Sequence, residues 1–258
     1  MKPRTALVLA GSRGPQDPLA VHAGVSHKAM IEVGGRPMLA RVIDALAAAG
    51  FERIAVAIER PDLVEQLRAD GALPASAAVE ALPAAAGPSA SVEAGLAALG
   101  APLLVTTADH ALLEPAWVEY FVGHAPADAA LAAGLARAET VTAATPGTRR
   151  TFLRFADGAW SGCNLFYLAG PQAGRIVALW REVEGLRKQP LKLVARLGWS
   201  SALRFALGRL TLAAALERLS RIAGAKAAVV ELPFGRAAVD VDKPSDLALV
   251  RRIVDEGI

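Results

Sequence analysis

ALVLAGSRGPQDPLAVHAGVSHKAMIEVGGRPML, residues 6–39, is the stretch on which the reading of the whole chain turns. Leu7, Val8 and Leu9 form an uninterrupted apolar run ahead of a glycine, the pattern of a strand buried on both faces of a parallel sheet. The chain then turns at Gly11 and Gly14, where the lack of a Cβ lets backbone N–H groups converge on a ligand. Arg13 and Lys28 add two positive charges to the same loop, so it suits a polyphosphate.

Neither GxGxxG nor a GxxxxGK followed by Ser or Thr occurs here, which excludes the dinucleotide-binding and Walker versions of a phosphate loop. The stretch instead resembles the start of the MobA-like nucleotidyltransferases. That group holds molybdenum cofactor guanylyltransferase, methylerythritol cytidylyltransferase and many sugar-phosphate uridylyl- and guanylyltransferases. Their signature is LAGGxSxRxG followed by a lysine. Leu9, Ala10, Gly11, Arg13 and Gly14 match its first part, Lys28 its lysine, and Gly34, Gly35, Arg36 and Pro37 the turn beyond. Ser12 stands where the family has a second glycine, and PQDPLAVHAGVSH makes an unusually long interval between Gly14 and Lys28. The resemblance implies an α/β, Rossmann-like GT-A-type nucleotidyltransferase fold, a mainly parallel sheet with helices on both faces. It also implies nucleotide binding by Leu9, Ala10, Gly11, Ser12 and Gly14, with Arg13 and Lys28 on the triphosphate.

Downstream, strands and helices alternate. Leu39, Val42, Ile43 and Leu46 recur at helical spacing before Gly50, Arg53–Ile58 reads as a strand, Pro61–Ala69 as a helix and Ala77–Leu82 as a strand. This βαβα order predicts a mainly parallel sheet that binds ligands at the carboxyl ends of its strands. PAAAGPSAS, residues 83–91, leads into a helix marked by Val92, Leu96 and Leu99, with Ser89 or Ser91 as its cap. In the resembled family a serine loop before SVxxGL borders the nucleobase; Ser91, Val92, Gly95 and Leu96 match, which implies that role for Ser89 and Ser91.

PLLVTT, residues 102–107, is a buried strand running straight into Ala108 and Asp109. A carboxylate at that point either caps the next helix or holds Mg²⁺ beside the phosphates. Glu114, next to Pro115, is the more natural cap, which leaves Asp109 for the metal. TTADHALL also resembles the family's metal-binding segment, and DVDKPSDLALVRRI its closing DIDTPEDL, which implies Asp240 or Asp242 as the second Mg²⁺ ligand. Asp246 reads as a helix-start residue. His110 reads as an exposed polar loop residue, and no spacing among His22, His27, His110 and His124 makes a transition-metal site. Residues 128–155 read as strands around TPGTRR, and Ala159–Leu168 as another strand. In it Gly162 and Asn164 resemble the pair that meets the acceptor in sugar-phosphate members; Asn164 equally fits a purely structural hydrogen-bonding role. Ala227–Leu232 and Ala237–Val241 read as the last strands.

The chain's 258 residues suffice for one large α/β domain with its own core, here a single nucleotidyltransferase domain over residues 1–258 with a helical insertion at about 171–225. A lone cysteine, Cys163, forms no internal bridge and fits a reducing, cytoplasmic setting as a small buried residue. The apolar run after Lys2 and Arg4 stops at Gly11, shorter than the core of an export signal, and no run approaches the roughly 18 residues of a membrane span. The net charge is +3, but residues 175–226 hold eleven Lys and Arg (Arg175, Arg181, Arg187, Lys188, Lys192, Arg196, Arg204, Arg209, Arg218, Arg221, Lys226) against three Glu, a local +8 that leaves −5 elsewhere. Such a segment is either a solvated helical face or a surface for anionic partners. Trp180 and Trp199 within it are expected in the core.

The expected activity is therefore Mg²⁺-dependent transfer of a nucleoside monophosphate from an NTP to a phosphorylated acceptor, small or lipid-linked, with peripheral contact to an anionic membrane through the basic helices and no nucleic acid partner. Two alternatives stand beside it. A GT-A glycosyltransferase calls for DxD after the central strand, where this chain has Asp109, His110 and Ala111. A non-catalytic nucleotide-binding regulator would have no need of both Asp109 and Asp240.

Overall fold

Alternation along the first strand sets the layers. In β1 (Thr5–Leu9), Ala6 and Val8 are buried in one apolar cluster and Leu7 in a second, so both faces of the strand are covered. The computed structural model describes residues 4–12, 14, 16–146, 151–186, 189 and 198–257. Arg13, Arg187, Lys188, Lys192, Arg196 and residues 147–150 of the TPGTRR loop lie outside them.

The further strands are β2 (Glu32–Val33), β3 (Arg36–Pro37), β4 (Arg53–Ile58), β5 (Ala78–Pro83), β6 (Leu103–Thr107), β7 (Leu131–Arg137), β8 (Leu153–Phe155), β9 (Gly158–Leu168) and β10 (Ala227–Glu231). Eight of them make one sheet in the order β10-β7-β9-β6-β1-β4-β5, with β8 on β9. The chain builds outward from β1 to β4 and β5, then crosses back to lay β6 on the other side of β1, all parallel. The strand order thus reverses between β1 and β6, which is where an open α/β sheet leaves a crevice. β9 runs antiparallel to both neighbours. β2 and β3 form a separate hairpin whose turn, Gly34–Gly35, has φ of 57° and 71°, the left-handed pair a tight hairpin needs.

The helices are α1 (Pro18–Ala23), α2 (Met38–Ala48), α3 (Asp62–Ala69), α4 (Pro88–Leu99), α5 (Pro115–His124), α6 (Ala138–Ala144), α7 (Ala173–Leu186), α8 (Trp199–Ala206), α9 (Leu212–Ala223) and α10 (Pro244–Glu256). The apolar residues of α2, α3, α5 and α10 join the Ala6–Val8 cluster, and those of α4, α7 and α9 join the Leu7 cluster. The fold is a Rossmann-like α/β fold with a largely parallel sheet. None of its described helices is long and apolar enough to cross a membrane.

Four expectations need correction. Ala138–Ala144 is helical, not extended: Val141 is 1% exposed, and the helix presses so closely on the turn at Gly235 that a Cβ there would lie 2.2 Å from the Thr140 carbonyl oxygen. Ala237–Val241 is no strand but a 3₁₀ turn, Gly235–Ala238, followed by extended chain; its apolar residues are buried, which gives the segment the look of a strand. His110 is fully buried, its ring 6.2 Å from that of Trp117, because the turn after Asp109 tucks beneath α5. Of the two tryptophans, Trp180 stacks on Phe166 at 5.5 Å, whereas Trp199 is 64% exposed.

Candidate active site

The crevice at the β1/β6 reversal is a cleft of about 420 Å³, walled by Leu9, Gly11 and Ser12 on one side, residues 85–88 and Ser91 on another, and Lys28, Thr107, Asp109 and Asp242 at its charged end. Its position follows from strand register, since Leu9 and Thr107 are partners at the carboxyl ends of β1 and β6. The loop after β1 is tethered early: the Ala10 N–H donates to the Ala57 carbonyl at 2.9 Å. Gly14 takes φ 84°, a left-handed conformation that suits glycine. The Ser12 N–H donates to the Glu59 carboxylate at 3.2 and 3.3 Å, so an amide of this loop already faces an anionic group.

The long interval before Lys28 is a helical excursion. Asp17 caps α1 by accepting from the Leu19 and Ala20 N–H groups, and Gly24 ends it with left-handed φ 70°. The chain returns to a 3₁₀ turn, Lys28–Met30, capped by His27, whose Nδ1 accepts the Ala29 N–H. With Nδ1 accepting, Nε2 carries the proton and donates to Glu59 at 3.1 Å. This turn points Lys28 into the cleft.

Lys28 is the hub of the charged end. Its ammonium donates to Asp109 Oδ2 at 2.7 Å and to Asp242 Oδ1 at 2.9 Å. Burial by itself lowers the Lys28 pKa, but the charge and hydrogen bond of Asp109, with those of Asp242, outweigh it and hold the group above its ordinary 10.5. Thr107 orients Asp109 by donating to Oδ1 at 2.6 Å, and the Val241 N–H donates to the Asp109 carbonyl at 3.1 Å, tying the two acidic segments together. Asp246, buried at the third position of α10, accepts from the Asp242 and Lys243 N–H groups and so fixes the backbone beneath Asp242. Asp109 caps no helix; Glu114 precedes α5, without a side-chain bond.

The MobA-like NTP transferase domain matches residues 6–230. The chain belongs to this family. A hypothetical transferase from Thermus thermophilus is 36% identical, covered over 96% of this chain and 100% of its own, with a TM-score of 0.80. More distant structures share the fold. CMP:2-keto-3-deoxy-manno-octonic acid synthetase complexed with CTP is 14% identical, with a TM-score of 0.58 and 98% of each chain covered. 4-Diphosphocytidyl-2C-methyl-D-erythritol synthase from Anaerococcus prevotii is 11% identical, with a TM-score of 0.58 and 97% of each chain covered. No curated protein matches.

Within the family's stretch, the structure separates two serines that the sequence leaves paired. Ser91 lines the cleft and its hydroxyl accepts the Ala85 N–H at 3.0 Å, bracing the loop. Ser89 turns the other way, its N–H and hydroxyl both on the Glu184 carboxylate of α7. The acidic pair separates too. Asp242 joins Asp109 on Lys28, whereas Asp240 accepts from Asn164 Nδ2 at 3.2 Å. Asn164 makes that reach from a bulge: Ala133 pairs with Phe166 but Leu135 with Gly162, and Asn164 between them takes a left-handed φ of 49°. Gly162 is exposed, two residues earlier in the same strand. Three participants escaped the sequence reading: Glu59, His27 and Thr107. Glu59 alone had a usable signal, a carboxylate at the carboxyl end of a parallel strand, the same logic that singles out Asp109.

Asp109 and Asp242 converge on one cation at hydrogen-bond distance, a donor set of hard oxygens suited to Mg²⁺. No third His, Cys, Asp or Glu joins them among the described residues.

Proposed function

We propose that this protein transfers a nucleoside monophosphate from an NTP to the phosphate of an acceptor. An acceptor phosphate oxygen forms the new bond to the α-phosphorus in line. The bond from that phosphorus to the bridging oxygen of the β-phosphate breaks, and pyrophosphate leaves with the electron pair. The observation that carries the reading is the convergence of Asp109 and Asp242 on Lys28 at the mouth of a cleft walled by the glycine loop, in a chain of the NTP transferase family.

In this reading the loop amides around Gly11 and Ser12 receive phosphate oxygens, and Arg13 and Lys28 hold the triphosphate against its own repulsion. Asp109 and Asp242 hold Mg²⁺, which supplies neutralisation of charge on the phosphates. Thr107 and Asp246 keep those two carboxylates in place. The loop at residues 85–88, braced by Ser91, borders the nucleobase, while Asn164 and Asp240 face the acceptor. Positioning and charge neutralisation suffice, with no covalent enzyme intermediate.

The test is pyrophosphate release from each of the four NTPs with Mg²⁺ and a panel of phosphorylated sugars, alcohols and lipids. Asp109→Asn removes a ligand charge at nearly constant volume, so the active pair should lose at least about 10²-fold in kcat with an unchanged circular dichroism spectrum. Full activity in that variant would remove the metal assignment.

A further inference from the structure

α8 and the residue after it do not behave like a surface helix of a free-standing domain. Trp199, Leu203 and Leu207 recur at intervals of four, so they share one stripe, and they are 64%, 61% and 58% exposed. Single exposed apolar side chains are ordinary, but a contiguous stripe of large ones marks a contact surface. The helix is nonetheless anchored. Phe205, off the stripe, packs edge-on against Phe155 of β8 at 5.9 Å; the Ala156 N–H donates to the Leu210 carbonyl, and Asp157 accepts the Leu212 N–H at the start of α9.

We propose that α8 is an interfacial helix that docks this protein on an anionic membrane surface, beside the open end of the cleft. Charge selects the occupant. Arg204 and Arg209, next to Leu203 and two residues after Leu207, are exposed and without an acidic partner among the described residues; the segment's sequence is net +8, with Arg181 and Lys226 paired to Glu93 and Asp128 outside it. An apolar stripe with Trp and Leu rimmed by arginine is the composition of helices that lie in a lipid headgroup layer, and no described helix spans a bilayer instead. A second copy of this chain is a poor match. An eight-residue helix, about 12 Å long, offers too small a face to supply the roughly 800 Å² per partner that a stable dimer buries, and the two arginine rims would face each other.

Topology then gives the surface a purpose. Because β9 is antiparallel, its first residues pair with the carboxyl end of β7, Trp160 beside Arg137, and β8 pairs with those same residues. α8, seated on β8, therefore sits on the edge of the sheet that also carries Asp109 and Asn164. Docking there presents the acceptor side to phosphate groups borne by lipids. The docking itself is independent of nucleotidyl transfer and is measured without turnover, so either reading can fail alone.

The experiment is co-sedimentation of the full chain with phosphatidylglycerol–phosphatidylcholine vesicles and with phosphatidylcholine vesicles, at low and moderate salt. The anionic vesicles should bind the protein at least about tenfold more strongly, less so as salt rises. Leu203→Glu should release it, and Arg204→Glu with Arg209→Glu should lower the partition constant by about tenfold or more. All these positions are exposed, so thermal melts should match the parent. Absence of sedimentation with both vesicle types, binding indifferent to Leu203→Glu, or self-association in sedimentation velocity that Leu203→Glu abolishes without vesicle binding would each overturn the proposal.

Discussion

A lysine between two carboxylates is the smallest unit that explains this site. Lys28 is 16% exposed at its side chain and Asp109 21%, so their contact is partly shielded from water, whereas Asp242, at 66%, is free to exchange partners. Asp109 is the more fixed member, oriented by Thr107, and Asp242 the more exposed one, its carboxylate on Lys28 and its backbone N–H on Asp246. Nearby, Cys163 behaves oppositely. It is 1% exposed, and burial, with the Asp240 charge adding to it, pushes its pKa up to about 12, so it stays a neutral thiol at ordinary pH. Intact protein should therefore resist iodoacetamide at pH 8 while the guanidinium-unfolded chain is alkylated, as read by mass spectrometry. Rapid labelling of the folded protein would contradict this burial.

Among the elements, α4 shows how closely helix and sheet must meet for the loop at residues 85–88 to sit where it does. A Cβ on Gly95 would lie 2.4 Å from Leu7 Cδ2, and Leu7 is fully buried, so neither side can give way easily. Gly95→Val should destabilise by about 1–3 kcal/mol through overpacking, and should loosen nucleotide binding by shifting the loop at residues 85–88. An unchanged thermal melt would show that α4 has slack. Elements such as β1, β4 and β6 were legible because their apolar runs need no partner to be recognised. α6 was not, since AETVTAA has no helical period and its conformation is set by Val141 and by the turn at Gly235. The reach of Lys28 was equally hidden: the thirteen residues after Gly14 read as an excess interval, whereas Pro18–Ala23 among them form a helix capped by Asp17 and Gly24.

At the scale of the whole molecule, alternating strands and helices announce a parallel sheet but not its order, and the order is what makes the cleft. β6 returns to the far side of β1, bringing residues 9–12 and 107–109 together, and the antiparallel β9 then carries Asn164 to Asp240 from the opposite direction. Of the site, Lys28, Asp109 and the acidic pair were legible from motif alone; the choice of Asp242 over Asp240 as the partner of Lys28 depends on the bulge in β9 and the Asp246 bonds, neither of which has a local signature. We propose that this cleft binds an NTP with Mg²⁺ at Asp109. Its most direct test is a thermal shift with each of the four NTPs, with and without Mg²⁺, on the parent and on Asp109→Asn. At 100 times its dissociation constant a bound ligand stabilises by about 2.7 kcal/mol, and in a chain of this size each kcal/mol moves Tm by roughly 2–4 °C. At least one NTP should therefore raise Tm by about 5–10 °C with Mg²⁺, and by much less without it or in the variant. No shift with any NTP, or an equal shift in Asp109→Asn, would contradict the account.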